Sequence, residues 1–411
     1  MRRVLLSLAA LLAASALACG ATQRPDDPGV GRPYVVLVAL DGFRHDYLSL
    51  HDAPNLRELA ARGASVQGLV PPFPSLTFPS FYSIATGLYP EHHGIVANAF
   101  LDRERGARFS LSNRETVRDG AWWGGEPIWV RAERQGVATA AFFYPGTEAD
   151  IGGVHPTDWR PFDESVPYAD RVQTVLEWLA RPLERRPHLV TLYFAAVDSA
   201  GHDHGPDSPE VAAAVKRVDD QVGRLVEGIA RLPHAGETYV VVVSDHGMMA
   251  VDVVETIDER VALDLVDPLA FGPNLAFYVD RGADQAERAG RLRDQLNGTL
   301  THGTAYLRAE MPDGLHARGS ARLGDVIVVA RPGAMIRRAG SAEPPAGMHG
   351  WDPAVEQMHG LLLVTGPGIA AGLRLPAIEH VDVYPLLERL LRLTPNPAID
   401  GDPDALAGLG M

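Results

Sequence analysis

Five almost continuous apolar segments, rich in β-branched residues, place the strongest constraint on how this chain can fold. A strand that is apolar on both faces must be covered on both faces, as in the parallel sheets of α/β proteins. Segments with helical periodicity separate several of these strands. The predicted strands are at 33–43, 188–202, 237–247, 325–330 and 359–368, and the predicted helices at 53–63, 169–183 and 209–232. This alternation predicts an α/β fold with a mostly parallel central sheet and helices on both faces.

The rest of the sequence suggests how the 411 residues are divided. A leader and a linker rich in Gly, Pro and Asp precede one large domain. A less regular region within that domain predicts a smaller inserted cap subdomain, and the last residues predict a mobile tail. The predicted divisions are 1–18 for the leader, 19–32 for the linker, 33–400 for the domain, about 252–345 for the cap and 401–411 for the tail.

The leader has the pattern of a cleaved export signal, with a basic start, an apolar run and an Ala-Leu-Ala sequence at 16–18. Cys19 follows directly and is the only cysteine, which excludes an intrachain disulfide and a thiolate metal site. Its position resembles that of the acylated cysteine of bacterial lipoproteins. We therefore predict export, and both a lipid anchor at Cys19 and release into the periplasm remain open.

The formal net charge of −15 argues against a nucleic-acid polymer or an anionic membrane surface as the main partner. Both of those partners favour a basic patch on the protein. A small anionic substrate is still compatible with this charge, because a bound metal ion can offset the charge of the substrate locally.

Acidic and imidazole side chains stand at the ends of three predicted strands. Asp41 ends the first strand, and Asp198 ends the second, with His202 four residues further on. Asp245 and His246 end the third. Because ligands of open α/β sheets bind beyond the carboxyl ends of the strands, these groups are expected to converge. Carboxylates and imidazoles brought together favour a metal site, since like charges need a cation between them.

His359, at the start of the last predicted strand, completes a set of three aspartates and three histidines. Nitrogen and oxygen ligands without sulfur suit zinc, with manganese or iron as alternatives. Six such ligands and a hydroxyl are too many for one tetrahedral zinc ion and about right for two. Thr77 lies between Pro74 and Pro79, and its hydroxyl could act as a nucleophile if a metal ion lowered its pKa.

Four segments that carry these residues resemble the nucleotide pyrophosphatase/phosphodiesterase family of the alkaline phosphatase superfamily. Each segment supplies a different part of the expected site, and they occur in order along the chain. The segments are FPSLTFPSFYSIATGLYPEHHGIVAN, LYFAAVDSAGHDHGP, VVSDHGM and GMHGWDPAVEQMHGLLLVTGPG.

The resemblance implies an alkaline-phosphatase-like fold and a site with two zinc ions. One ion would be held by Asp198, His202 and His359. The other would be held by Asp41, Asp245 and His246, with Thr77 as the nucleophile on that ion. The resemblance also assigns Asn98 to a phosphate oxygen, and Phe78 and Tyr193 to the stacking of a nucleobase.

The implied function is an exported metal-dependent hydrolase of phosphodiester or pyrophosphate bonds, with nucleotide substrates and a phosphothreonine intermediate. Two alternatives remain open at this point. One is a phosphomonoesterase or phosphonate hydrolase of the same superfamily, which would use the same metal ions with a different pocket. The other is a surface lipoprotein that binds metal without catalysis.

Overall fold

The computed structural model describes residues 31–257, 261 and 266–410. The predicted export signal, Cys19 and most of the predicted linker lie outside the described residues. The strands, in chain order, are β1 (Tyr34–Leu40), β2 (Ala64–Val66), β3 (Leu69–Val70), β4 (Ala99–Asp102), β5 (Ala107–Ser110), β6 (Thr139–Phe142), β7 (Asp158–Trp159), β8 (Leu189–Phe194), β9 (Thr238–Ser244), β10 (Met249–Ala250), β11 (Val253–Thr256), β12 (Val266–Phe271), β13 (Asn274–Val279), β14 (Gly303–Leu307), β15 (Val326–Ala330), β16 (Ala334–Arg337), β17 (Gly347–Met348), β18 (Leu362–Thr365), β19 (Leu373–Leu375) and β20 (Ile378–Glu379).

The helices, in chain order, are α1 (Tyr47–Leu50), α2 (Pro54–Arg62), α3 (Thr77–Thr86), α4 (Pro90–His93), α5 (Arg114–Arg118), α6 (Ile128–Arg134), α7 (Tyr168–Leu179), α8 (Ala196–His204), α9 (Pro209–Ala230), α10 (Gln285–Asn297) and α11 (Val383–Leu390). Helices α2, α7 and α8 each pack on α9, and α3, α6 and α11 contact one another.

The central sheet has eight strands in the order β19-β2-β18-β9-β1-β8-β6-β7. Strand β1 lies in the middle and pairs in parallel with β8 and β9. All seven of its residues are buried, which explains its unbroken apolar sequence. Leu40 pairs with Phe194 on one side and with Ser244 on the other. The three strands therefore end together, and the residues that follow them leave the sheet at one edge.

The predicted mostly parallel sheet with helices is confirmed. Strands β1 and β9 and helices α2, α7 and α9 form where the sequence pattern places them. The strand predicted at 188–202 is shorter, because β8 ends at Phe194 and the rest of that segment, with Asp198, begins α8. Two predicted strands differ in their surroundings. Strand β18 belongs to the central sheet but runs antiparallel to β9 and β2. Strand β15 belongs to a separate sheet, because it pairs with β13 and β14.

That separate sheet has four strands in the order β12-β13-β15-β14, and α10 packs on it. It has its own hydrophobic cluster, which includes Leu275, Phe277, Leu292 and Val328. The chain leaves the main domain after β10 and returns at β17, and these two strands pair with each other. The segment between them therefore starts and ends at one place beside the carboxyl edge of the central sheet.

The last residues differ from the prediction of a mobile tail at 401–411. Leu406 and Leu409 are buried in the main core, and a 3-10 turn spans Ala407–Leu409. The physical reason is that these leucines bury apolar surface against the main domain, which outweighs the Gly and Asp content that suggested mobility.

Candidate metal centre and substrate cavity

The chain after β1 comes too close to α8 to carry a side chain there. Gly42 has a φ of 67°, and a Cβ atom on it would lie 2.7 Å from the Cα atom of Asp198. The amide of Asp198 donates to the carbonyl oxygen of Asp41 at 3.1 Å. Gly42 thus allows Asp41 and Asp198 to lie side by side, although they are far apart in sequence.

Asp245 is oriented by the backbone on both sides. Its Oδ1 atom accepts hydrogen bonds from the amides of Gly42 and His246, each at 3.0 Å. Its Oδ2 atom lies 3.0 Å from Nε2 of His246. The two side chains at the end of β9 therefore point at each other and at the end of β1.

Three imidazoles at this edge share one orientation. Each has its Nδ1 atom 2.8–2.9 Å from a backbone carbonyl oxygen, which can only accept. Nδ1 must therefore carry the proton, and the Nε2 lone pair is left free to bind a metal ion. The histidines and their acceptors are His202 with Gly347, His246 with Gly247, and His349 with Ser75.

The Nε2 atoms face the carboxylates. His202 and His349 lie 3.4 and 3.6 Å from Oδ1 of Asp198, and 3.2 Å from each other. His246 lies 3.6 Å from Oδ1 of Asp41. Two overlapping groups thus each have ligand atoms within 4.8 Å of one another, as a metal site requires. The groups are Asp198, His202 and His349, and Asp41, Asp198 and His246.

Unpartnered carboxylate oxygens are a second reason why these residues fit divalent cations. One buried oxygen of each aspartate, Oδ1 of Asp41, Oδ1 of Asp198 and Oδ2 of Asp245, has no hydrogen-bond partner among the described residues. Buried polar atoms are rarely left in this state. Burial and the neighbouring carboxylates raise the pKa of Asp41, and burial and Asp198 raise the pKa of Asp245. A cation between these groups would offset both effects.

The structure corrects one predicted ligand, because His359 does not reach this cluster. Its Nε2 atom donates to the carbonyl oxygen of Pro353 at 2.9 Å. Its Nδ1 atom faces Gly68, where a Cβ atom would lie 2.7 Å away. His349 takes the position expected of His359.

The reason for the error lies in a repeated tripeptide. His349 and His359 both stand in the sequence Met-His-Gly, ten residues apart. Pairing of β10 with β17 brings His349 to the end of β9, where its ring stacks on that of His246 with centroids 3.4 Å apart. Burial, with His246 and His202 nearby, lowers the pKa of His349, so its imidazole stays neutral.

Thr77 is the first residue of α3, and its Oγ1 atom lies 3.4 Å from Nε2 of His246. The next amide, that of Phe78, donates to Oδ1 of Asn98 at 3.0 Å. This bond occupies the amide oxygen of Asn98 and leaves its NH₂ group as the available donor. The hydroxyl, the metal-binding groups and an amide donor therefore meet at one place.

These groups lie at one end of a cavity of about 320 Å³. Phe78 is half-buried and packs against Phe109 and Trp123. Tyr193 is 8% exposed, and its hydroxyl donates to Oδ2 of Asp41. The residues that line the cavity are Asp41, Thr77, Phe78, Asn98, Leu111, Arg114, Val117, Phe143, Tyr144, Pro145, Gly146, Glu148, Phe162, Tyr193, Asp198, His202 and His349.

The far end of the cavity holds a charged group that the sequence does not reveal. Glu148, 7% exposed, pairs with Arg114 and accepts from Nε of Arg118 at 3.1 Å. The amide of Phe162 also donates to it, at 2.9 Å. No motif marks these residues, because they come from α5 and from two loops.

In the described part of the chain, no helix is both long and apolar enough to cross a membrane.

Several known proteins are similar to this chain. A family model described as "Type I phosphodiesterase / nucleotide pyrophosphatase" matches residues 35–352. Ectonucleotide pyrophosphatase/phosphodiesterase family member 3 of Rattus norvegicus is 33% identical over 399 residues, covering 92% of this chain and 44% of the relative. Venom phosphodiesterase CdcPDE of Crotalus durissus collilineatus is 33% identical over 396 residues, covering 92% and 46%. The chain thus spans less than half the length of these relatives.

A solved structure is similar over nearly its whole length. It is an inactive variant of murine ectonucleotide pyrophosphatase/phosphodiesterase 5 in complex with AMP. The TM-score is 0.86 at 31% sequence identity, and the match covers 92% of this chain and 99% of that one.

Proposed function

This chain belongs to the type I phosphodiesterase / nucleotide pyrophosphatase family, and we propose that it is an exported, metal-dependent hydrolase of phosphodiester or pyrophosphate bonds in nucleotides. The observation that carries the proposal is the position of Thr77, which lines the cavity and whose hydroxyl lies beside the metal-binding groups. A protein that only bound metal would have no use for a hydroxyl at that point.

Two divalent ions, with zinc preferred by ligand type, fit the residues of the site. Asp198, His202 and His349 would hold one ion. Asp41, Asp245 and His246 would hold the other, because Nε2 of His246 lies 3.6 Å from Oδ1 of Asp41 and 3.0 Å from Oδ2 of Asp245. When bound, the ions supply Lewis-acid chemistry, which lowers the pKa of the Thr77 hydroxyl and offsets the charge on the phosphate oxygens.

The chain's own residues then perform a two-step displacement. Oγ1 of Thr77 attacks phosphorus, the bond to the leaving oxygen breaks, and the leaving group departs with the proton that the hydroxyl lost. Water then attacks the phosphothreonine, which releases the phosphate product and restores the hydroxyl. The NH₂ group of Asn98 donates to a non-bridging oxygen in both steps, because its Oδ1 atom is held by the amide of Phe78.

The walls of the cavity support a nucleotide substrate. Phe78 and Tyr193 line the cavity on the side of Thr77, where a base could stack between aromatic faces. A phosphate monoester dianion would favour an additional cationic clamp beside Thr77. Arg114 is the one arginine or lysine among the described lining residues, and it is paired with Glu148. A diester, with a single charge, therefore suits this site better than a monoester.

Export is proposed from the leader sequence at 1–18 and from relatives named as ectoenzymes or venom enzymes. Mass spectrometry of the mature N-terminus tests it. A chain that starts at Cys19 with attached acyl groups would establish a lipid anchor, whereas an unmodified start near residue 19 would establish release. An intact Met1 in the cytoplasmic fraction would contradict export.

The deciding experiment compares hydrolysis of the p-nitrophenyl ester of thymidine 5′-monophosphate with that of p-nitrophenyl phosphate. The proteins are the wild type, Thr77→Ala and Ser80→Ala, each with and without a zinc chelator. Ser80 is the matched control, because its hydroxyl is buried on the same helix but does not line the cavity.

We expect a strong preference for the diester, lost with the chelator and reduced about 10³-fold or more by Thr77→Ala, or about 4 kcal/mol in transition-state stabilisation. Ser80→Ala should retain wild-type rates within a few-fold. Preference for the monoester would turn the proposal towards a phosphatase, and turnover by Thr77→Ala at the wild-type rate would contradict it.

A further inference from the structure

We propose that the hydroxyl of Tyr193 positions a metal ligand, so that one side chain serves both the wall of the substrate cavity and the metal centre. This inference rests on the proposed function. It adds to the stacking role of Tyr193 a second role, carried by a different part of the side chain.

The two oxygens of Asp41 have different surroundings. Oδ2 accepts the hydrogen bond from the Tyr193 hydroxyl. Oδ1 has no hydrogen-bond partner among the described residues and lies 3.6 Å from Nε2 of His246. The tyrosine thus occupies one oxygen and turns the other towards the neighbouring ligands. Asp41 is thereby oriented to offer one oxygen to an ion.

Tyr193 is itself held in place from two sides. It pairs with Ala39 in the register of β8 with β1, two residues before Asp41. Its carbonyl oxygen accepts from Nη1 of Arg171 at 3.0 Å. Arg171 is fully buried, and its guanidinium lies over the rings of Phe143 and Tyr168. A tyrosine fixed in this way can fix its hydrogen-bond partner in turn.

The aromatic ring of Tyr193 makes different contacts from its hydroxyl. The ring lines the cavity and meets those of Phe81 and Phe162 edge-on, with centroids 5.9 and 6.0 Å apart. Replacement by phenylalanine would keep these contacts and remove only the hydrogen bond to Asp41. The two roles can therefore be separated by a single atom.

The expected effect of Tyr193→Phe on metal affinity follows from how residues that hydrogen-bond to a metal ligand act on that ligand. A carboxylate that loses its hydrogen-bond partner can rotate, and loss of such a partner commonly weakens metal binding about 10–100-fold. Without the tyrosine hydroxyl, both oxygens of Asp41 would be buried and unpartnered. The weakening should be confined to the ion that Asp41 holds.

The test measures zinc affinity directly, by competition with a chromophoric chelator in the absence of substrate, for the wild type, Tyr193→Phe and Tyr144→Phe. Tyr144 is the matched control, because it is also buried and lines the same cavity, but its hydroxyl donates to a backbone carbonyl oxygen at 2.8 Å. We expect one of two zinc ions to bind about 10–100-fold more weakly to Tyr193→Phe. Both should bind to Tyr144→Phe as they do to the wild type.

A double-mutant cycle with Asp41→Asn tests whether Tyr193 acts through Asp41. If it does, Tyr193→Phe should cause little further loss of zinc affinity in the Asp41→Asn background. Additive losses would overturn the proposal, as would wild-type zinc affinity in Tyr193→Phe.

The readout does not depend on the reaction. If no substrate is turned over by any variant, the proposed function fails while the zinc affinities still decide the role of Tyr193. If turnover is as proposed and Tyr193→Phe binds zinc normally, only this inference fails.

Discussion

The two ends of the substrate cavity are built in different ways. At the metal end, the backbone orients most of the side chains, through carbonyl oxygens for the three imidazoles and through two amides for Asp245, while the Tyr193 hydroxyl orients Asp41. At the far end, side chains orient one another, as Glu148 does with Arg114 and Arg118. The metal end stands on the edge of a sheet, and the far end on α5 and loops.

The difference separates the place of the chemistry from the place of substrate selectivity. Groups fixed by a sheet edge keep the sub-ångström geometry that a reaction centre needs. Groups on loops can change without disturbing that geometry, and they are common sites of ligand selectivity. We therefore expect changes at the metal end to act on kcat and metal binding, and changes at the far end to act on KM.

The largest effect should come from the two Met-His-Gly histidines. His349→Ala removes a proposed metal ligand, and should lower kcat/KM by about 10³-fold or more. His359→Ala removes a ring that faces Gly68 and Pro353, and should lower it less than tenfold. Zinc content by mass spectrometry under native conditions and the kinetics of the diester check both. Equal losses in the two variants would break the assignment of His349.

Removal of the metal ions should destabilise the protein next most strongly. Without cations, the buried carboxylates of Asp41 and Asp245 and the partly buried carboxylate of Asp198 repel one another. An ion present at about 1,000 times its Kd adds about 4 kcal/mol to the free energy of unfolding. A chelator should therefore lower Tm by several degrees, and added zinc should restore it. A Tm that changes neither with the chelator nor with added zinc would argue against a metal centre.

At the far end, Glu148→Gln should raise KM for the nucleotide ester about tenfold, which corresponds to about 1.4 kcal/mol of lost substrate binding. The value of kcat should stay within two-fold. The amide cannot pair with both arginines, so Arg114 loses its orientation at the cavity. Glu388→Gln is the control, because Glu388 is also buried and paired with an arginine, Arg131, but lies away from the cavity. A change in kcat without a change in KM would break the division between the two ends.

The last expected effect is on the free energy of unfolding alone and concerns α3, which begins at the metal end with Thr77 and continues past Ser83. Burial of His93, whose Nε2 atom lies 3.0 Å from Oγ of Ser83, lowers its pKa from 6.5 to about 3. The folded state therefore keeps His93 neutral while the unfolded state takes up a proton below pH 6.5. The free energy of unfolding should fall by about 1.4 kcal/mol per pH unit from this residue as pH drops from 6.5 towards 3.

His93→Asn tests this expectation, because it keeps an acceptor for the amide of Ile95 and removes the titration. Urea unfolding at pH 7 and at pH 5 should show a smaller difference for the variant than for the wild type. An unchanged difference would mean that other groups carry the pH dependence.

Much of the fold could be predicted because its strands are extreme in composition. Strand β1 is buried at every residue, and such a sequence has few alternatives to the middle of a parallel sheet. Strand β15 has the same kind of sequence, yet it lies in the second sheet. Apolar strands are alike in sequence whichever core they join, so composition did not assign β15 to its sheet.

In the site, too, some residues could be predicted from the sequence and others could not. Asp41, Asp198, Asp245 and His246 were predictable because strand ends in a parallel sheet meet at one edge. Glu148 and Arg114 were not, since nothing local distinguishes them from solvated charges. Leu406 and Leu409 show the converse, because a Gly-rich ending concealed two leucines that the core takes up.

The parallel sheet, the edge where the site forms and the types of side chain gathered there follow from hydrophobic pattern and strand direction, so they can be inferred from the amino-acid sequence. The choice between the two Met-His-Gly histidines and the contact of Tyr193 with Asp41 come from the folded chain. The reason is that both depend on strand pairings between distant segments, β10 with β17 and β1 with β8, which no local pattern specifies.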